Sequence, residues 1–487
     1  MKFIKILCLL LPILLLIGCG GAVTPEPTTT AAVATAPVVF DIYAVNDLHG
    51  RLTATDTQPG AGALSAYVKQ TENAILLATG DMWKGTAVSD LTKGQLVTEW
   101  MNETGFAAMT LGGHEYDWGA DGIRENRQLA KFPFLGINVY SRETDQRVDY
   151  CQSSVTVELE GITVGIIGAI GDCYASIASE HTKNVYFQTG DALTALVKAE
   201  AEKLREQGAD MIIYTLHDGW DQTTTGVMDI RDRELGAYYD ISLSDGYVDL
   251  VFEADTHYSY VLKDSHGVYH LQAGGNNQGI SHARVLIDKA RGDVLVATAE
   301  LVPASRYAGV KADLALETLL QKYGAQIAPA TEVVGNNSRY RSGAMLCQLV
   351  ADLYREKGVE TWAERYDIVL GGGYLSCRSP GYLQAGEVRY DQLQSLFPFD
   401  NTITLCSIRG RELISKFLET ENAAYYISLT DYGKSIRGQI DPDATYYLVT
   451  DSYSADYAPN RLTVIDTCES GVYARALLAA YFSESDQ

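Results

Sequence analysis

Asp47 and His49, Asp81, His114 and Asp117, His217, and Asp255 and His257 fall in five short polar clusters: NDLHG at 46 to 50, GDMW at 80 to 83, GGHEYD at 112 to 117, LHDG at 216 to 219 and ADTH at 254 to 257. Carboxylate oxygens and imidazole nitrogens in this mixture suit two adjacent divalent cations, a donor set that hydrolyses phosphate esters by activating water. Each cluster alone has an ordinary explanation. An Asp-x-His in a loop is commonly solvated, Asp81 after Gly80 could cap the following segment, and a lone histidine is usually a satisfied structural residue. The grouping argues for chemistry, because four of the eight histidines lie in these clusters. If GGHEYD turns helical, His114 and Asp117 share a face and the carboxylate holds the imidazole in its protonated form.

Each cluster begins where a β-like apolar run ends. The runs VVFDIYAV, AILLAT, FAAMTL, ITVGIIGAI, MIIYTL and VDLVFE alternate with helical stretches between residue 38 and about 300. That alternation predicts βαβ units in an α/β layer architecture, with ligands in the crevice at the strand ends. Because Asp47 and His49 follow a strand, a turn must aim both side chains at one point. A helix is predicted over Asp191 to Gln207, with Leu193, Leu196, Val197 and Leu204 on one face and Gly208 as its stop. A linker helix is expected within 306–329, before Pro329, and turn-rich segments among β-like runs mark a second domain at 330–487.

The 487-residue chain carries 38 Lys plus Arg against 62 Asp plus Glu, a formal charge of −24. This acidity disfavours polymeric nucleic acid, whose phosphates reward basic faces. It does not exclude a small phosphorylated molecule, since cations and a few arginines reverse the local field. Residues 1–18 read as an export signal, with Lys2, Lys5 and an apolar stretch ending in Leu16-Ile17-Gly18-Cys19. Leu-x-Gly-Cys resembles the bacterial lipobox, which implies a lipid on Cys19 and an exported body anchored to the outer face of a bacterial membrane. The Thr-, Ala- and Pro-rich stretch 19–37 suits a flexible tether. No CxxC pair occurs, against a zinc-thiolate site. Cys151 and Cys173 are the closest remaining pair, but spacing does not decide pairing.

In order and content, the clusters resemble the secreted 5'-nucleotidases of the calcineurin-like metallophosphoesterase superfamily, which include bacterial UDP-sugar hydrolases and 2',3'-cyclic nucleotide phosphodiesterases. The likeness runs over nearly all of residues 40 to 482. It implies a four-layer αββα metallophosphoesterase sandwich at 38–305 and a smaller C-terminal α/β nucleotide-binding domain at 330–487. It also implies two divalent cations, drawn from Mn, Zn, Mg or Ca. By the resemblance Asp47, His49, Asp81 and His257 hold one cation, and Asp81 bridges to a second held by His217 and Asp255. His114, oriented by Asp117, stabilises charge or protonates the leaving oxygen. Two departures fall on the second cation. Gly113 replaces the Asn of the family's GNHE, and Asp255 replaces the first His of GHTH. Losing a ligand should weaken that position at least about 10- to 100-fold, and a hard carboxylate tilts it toward Mn or Mg.

The C-terminal half resembles the family's nucleotide site. FPFDN at 397 to 401 places Phe399 and Asn401 where a base is stacked and hydrogen-bonded, with Tyr457 as the second aromatic. In GGGYLSCRSP, Leu375 stands at the family's arginine position, leaving Arg378, Arg339 or Arg341 to serve the phosphate end. The resulting expectation is a nucleotide phosphohydrolase. A second reading, motivated by Gly113, Asp255 and Leu375, is a catalytically weakened lipoprotein that captures a nucleotide or another ligand.

Overall fold

The strand Val38–Val45 alternates in the two-residue period of extended chain, and both of its faces are buried. Phe40, Ile42 and Ala44 join Ile162, Val164, Ile166, Met211, Ile213 and Phe252 of a second sheet. Tyr43 and Val45 join Leu64, Leu96 and Trp100 of helices Ala61–Val68 and Gln95–Thr104. On the far side of the second sheet, Ile167, Ile212 and Tyr214 are covered by Leu193, Val197, Ala201 and Leu204 of helix Gly190–Glu206. Four layers result, helix, sheet, sheet, helix. Each large apolar side chain buried this way is worth roughly 1.5 to 3 kcal/mol. A one-residue slip would exchange both faces at once, so the register is strongly specified.

This computed structural model describes residues 36–55, 58–220, 247–264, 267–457, 460–469 and 471–484. The expected leader and lipidated Cys19 lie outside the described residues. In the first sheet the strand order is 293–303, 279–288, 38–45, 74–78, 108–110, 134–135. Its last four strands run parallel, and 279–288 runs antiparallel to 38–45. In the second sheet the order is 259–263, 269–273, 250–252, 211–217, 162–170, 154–159, with a parallel centre and antiparallel hairpins at both edges. The parallel strands 38–45, 74–78 and 108–110, with 162–170, 211–217 and 250–252, deliver their C-terminal ends to one crevice. All five polar clusters start there.

A third sheet follows, in the order 425–429, 368–374, 445–451, 403–409, 463–467. Helix Gly343–Trp362 packs on it through Leu346, Val350 and Tyr354. The described residues from Pro37 onward form one unit. Arg51 donates from Nη2 to the carbonyl of Ser379 at 2.7 Å, and Gln394 donates to Asp90, so the third sheet's loops are tied to the first sheet's crevice.

The stretch expected as a linker helix is shorter and broken. It begins at Leu314, where the Asp313 side chain accepts from Ala315 N–H at 3.0 Å, runs to Lys322, and restarts at Gly324–Ile327. Gly324 is a poor helix former, and Leu316 and Leu319 are held against the first sheet's helices. Cys151 and Cys173 are both free thiols. Cys151 is buried facing Gly136, whereas Cys173 turns toward His217. Among the described residues, no helix is long and apolar enough to cross a membrane.

Candidate metal centre

Five of the expected ligands adopt left-handed backbone conformations, with φ of +48° at Asp47, +49° at His49, +54° at Asp81, +67° at Asp255 and +57° at His257. Such geometry costs a non-glycine residue about 1 to 3 kcal/mol and persists only where surroundings enforce it. Here the loops enforce one another. Asp47, His49 and Gly50 donate their N–H groups to the carbonyls of Gly80, Asp81 and Met82 at 3.0, 3.0 and 2.9 Å. Asp255 N–H reaches both carboxylate oxygens of Asp47, at 3.2 and 3.1 Å. Buried Glu115 accepts from the N–H groups of Asp81, Met82 and Gly112 at 2.8, 2.8 and 2.7 Å.

Glycine is required at two points of this packing. A Cβ on Gly80 would lie 2.5 Å from His217 Nδ1, and one on Gly112 would lie 2.4 Å from Asp81 Oδ1. Gly113 differs from both. Its φ is −63°, and a Cβ there would meet only Ile177, at 3.5 Å.

The donor atoms fit a pair of cations. His49 Nδ1 lies 2.9 Å from the Lys84 carbonyl and His217 Nδ1 lies 2.7 Å from the Thr79 carbonyl. A carbonyl can only accept, so Nδ1 carries a proton in both rings and Nε2 is the atom each ring turns inward, free to bind a cation once unprotonated. His217 Nε2 is fully buried with no hydrogen-bond partner, in ion-pair range of Asp81 Oδ1 at 3.3 Å. His49 Nε2 and His257 Nε2 stand 3.0 Å apart, and His257 Nε2 is 3.5 Å from Asp47 Oδ1. Two bonds of about 2.0 to 2.1 Å span such separations easily. Asp47, His49 and His257 form one compact donor group, while Asp47, Asp81 and His217 form an adjoining one. Asp255 Oδ1 is 4.0 Å from His217 Nε2.

Electrostatics follow from this crowding. Burial, helped by the charge of His257, pushes His49 down to about 3, so it is neutral. Burial opposes the charge on His217, yet Asp81 and Asp47 more than reverse that and raise it. Burial likewise opposes ionisation of Asp81, but the nearby imidazoles hold it well below the usual carboxylate range.

His114 lies on the short turn His114–Trp118, and its N–H donates to Asp81 Oδ1 at 2.8 Å. Its Nδ1 is 3.1 Å from Asp117 Oδ2, leaving Nε2 toward the cavity. Burial lowers its pKa, but Asp81 and Asp117 together lift it to about 9.

A cavity of about 240 Å³ opens over these groups and is closed by residues of the third sheet's loops. Arg378, Phe399 and Asn401 line it. Phe399 stacks on His114 with ring centroids 5.2 Å apart and planes 19° from parallel. The Arg378 guanidinium lies 5.2 Å over the Phe399 ring, with Nη2 3.5 Å from His114 Nε2. Leu375 packs in the third sheet's core and also borders the cavity, where it supplies an apolar wall and no charge. Arg341 is not brought here: it is buried against Tyr481 and Phe482 and donates to Asn337 Oδ1 at 3.0 Å. Arg339 is exposed and lines none of the cavity. Tyr457 stands one ring back, stacked at 4.6 Å on Tyr374, while Tyr354, Tyr374 and Tyr453 are the tyrosines that line the cavity.

Sequence reasoning missed four contributing residues. Glu115 positions the Asp81 loop, Asn46 donates to Asp47 Oδ2 at 2.7 Å, and Tyr374 and Tyr453 form the aromatic wall. Glu115 and Asn46 lie inside the quoted clusters, so their place there was the available signal.

No family model matches the chain. It is 26% identical over 475 residues to "Endonuclease YhcR" of Bacillus subtilis (strain 168), covering 86% of this chain and 37% of that protein. It is 25% identical over 419 residues to a 5'-nucleotidase of Diplobatis ommata, covering 78% of this chain and 71% of the relative. In three dimensions it matches the 5'-nucleotidase precursor of Thermus thermophilus with a TM-score of 0.71 at 19% identity, over 92% of this chain and 97% of that one. The chain thus has homologues among 5'-nucleotidases and shares the mixed α/β fold of their solved structures.

Proposed function

We propose that this protein hydrolyses phosphate esters of nucleotides with a pair of divalent cations. Asp47, His49, Asp81 and His257 would hold one, and Asp81, His217 and Asp255 the other. The observation that carries the reading is the pair of imidazoles, His49 and His217, each locked by a carbonyl at Nδ1 so that Nε2 is turned toward the buried carboxylates. When bound there, divalent cations supply the charge that makes water nucleophilic near neutral pH and offsets the phosphoryl oxygens.

The chain's own residues supply the rest. Asp117 fixes the His114 ring, and Nε2 carries the proton that can be delivered to the leaving oxygen. Arg378 Nη2 and His114 Nε2 are donors 3.5 Å apart, placed to share one anionic acceptor. Neutralising Asp81 removes part of the charge that lifts His114 to about 9, bringing its proton closer to release at neutral pH. Phe399, Tyr374 and Tyr453 offer faces for a base, and Asn401 offers a hydrogen-bonding edge. Catalytic and nucleotide-binding domains are assigned to 38–305 and 330–487. The leader and Cys19 assign the protein to the outside of the cell, held by a lipid on a tether.

Phosphate release from AMP, UMP, a nucleotide sugar and a 2',3'-cyclic nucleotide, measured with Mn, Zn, Mg and Ca in turn, tests the activity. Release in at least one combination, abolished in Asp81→Ala, is expected. No release from any substrate with any metal would refute it. An oligonucleotide belongs in the panel because one relative bears an endonuclease's name.

A further inference from the structure

Cys173 lies on the turn Asp172–Ser176 that follows strand Ile162–Ile170. Its thiol donates to the carbonyl of His217 at 2.9 Å, which ties the sulfur to the strand end carrying that histidine. Sγ, a His217 ring nitrogen and an Asp255 carboxylate oxygen all lie within 4.8 Å of one another. A bond of about 2.3 Å to sulfur and one of about 2.1 Å to nitrogen reach at most about 4.4 Å between donors. Small side-chain rotations therefore bring all three onto one ion. Independently, His217 Nε2 is fully buried, aimed into this space and lacks a hydrogen-bond partner. The side of the site facing Gly113 is occupied by Ile177, four residues beyond Cys173 on the same segment, 3.5 Å from where a Gly113 Cβ would stand. This segment covers the side left bare by Gly113, and its only metal-binding donor among those two residues is the thiol.

We propose that Cys173 is a ligand of the second cation, completing the set of Asp81, His217 and Asp255 in place of the donor that Gly113 cannot supply. The proposal rests on the two-cation reading above. On binding, the S–H bond breaks, a sulfur–metal bond forms and the proton leaves to solvent. Sulfur also changes the metal preference. Asp255 alone favours Mn or Mg, whereas one thiolate with one imidazole and carboxylates suits Zn. The two positions then differ in softness, and Zn should fill the second one ahead of Mn.

Titrating the chelator-stripped protein with Co(II) tests this. Wild type should bind two equivalents and develop a thiolate-to-cobalt charge-transfer band in the near ultraviolet. Cys173→Ser and Cys173→Ala should lose the band and bind the second equivalent about 10- to 100-fold more weakly, with the first unchanged. In wild type, Zn should slow alkylation of Cys173 by iodoacetamide, read by peptide mass spectrometry, which decides the matter even if a variant does not fold. Two equivalents bound without the band, a band that survives in both variants, or unprotected Cys173 overturns the ligand role and leaves the two-cation reading standing. No cobalt uptake by wild type overturns both.

Discussion

The adjacent glycines 112 and 113 should respond oppositely to the same added methyl group. At Gly112 the Cβ would sit 2.4 Å from Asp81 Oδ1, 2.6 Å from Asp81 N and 2.6 Å from His217 Cε1. Ordinary carbon–oxygen contact begins near ~3.3 Å, so Asp81 and its loop must retreat by most of an ångström. That movement strains the three hydrogen bonds to Glu115, which joins the Gly112 and Asp81 amides. Overpacking of this kind costs about 1 to 3 kcal/mol, and displacing ligands should weaken cation binding at least about 10-fold. At Gly113 the backbone is already helical and only Ile177 is near, at 3.5 Å. Gly113→Ala should therefore be neutral or stabilising by up to about 1 kcal/mol, through reduced freedom of the unfolded chain. Urea denaturation of the metal-free proteins reads the first quantity and Mn titration calorimetry the second. Equal stabilities for the two alanine variants, or undiminished Mn binding in Gly112→Ala, would show that the close approach of Gly112 to Asp81 does not govern the site.

Two further tests follow. Phe399→Ala should raise KM for a nucleotide roughly 5- to 150-fold, the equivalent of about 1 to 3 kcal/mol of base stacking; a fall in kcat with KM unchanged would instead assign Phe399 to holding His114, on which it stacks at 5.2 Å. Away from the site, buried His270 lies 2.9 Å from Glu253 Oε1 and 3.6 Å from Asp264 Oδ2. Burial lowers its pKa but the two carboxylates more than reverse that, to about 9. A histidine raised above its unfolded value of about 6.5 contributes fully below that pH and loses the contribution as pH rises through 9, here about 3 kcal/mol. Wild-type stability should fall across that window while that of His270→Gln stays flatter, and parallel curves would count against a charged His270.

Much of the sandwich was legible because its signals are local. The runs before Asp47, Asp81 and His217 are strands, and the helix expected at 191–207 is present at Gly190–Glu206 with Leu193, Val197 and Leu204 buried. Each signal depends on a period of two or 3.6 along the chain, so neighbours in sequence carry it. The linker was misread in length because helical composition does not reveal where tertiary packing stops a helix. Among the arginines of the C-terminal half, composition is silent. Arg341 and Arg378 are equally basic, yet Tyr481 and Phe482 claim the first while a loop after Tyr374 carries the second to His114.

Residue types and order alone decided that eight carboxylates and imidazoles would cluster at strand ends, since a parallel sheet sends those ends to one edge. The backbone twist that aims them, five left-handed residues held by loop-to-loop hydrogen bonds, belongs to the folded crevice. So does the meeting of Cys173 with His217 and Asp255, which are 44 and 82 positions away in the chain. Those donors share no local pattern. Only the pairing of strands 162–170 and 211–217 brings the sulfur and the imidazole to one edge, and contacts made between distant strands leave no periodic trace in either segment.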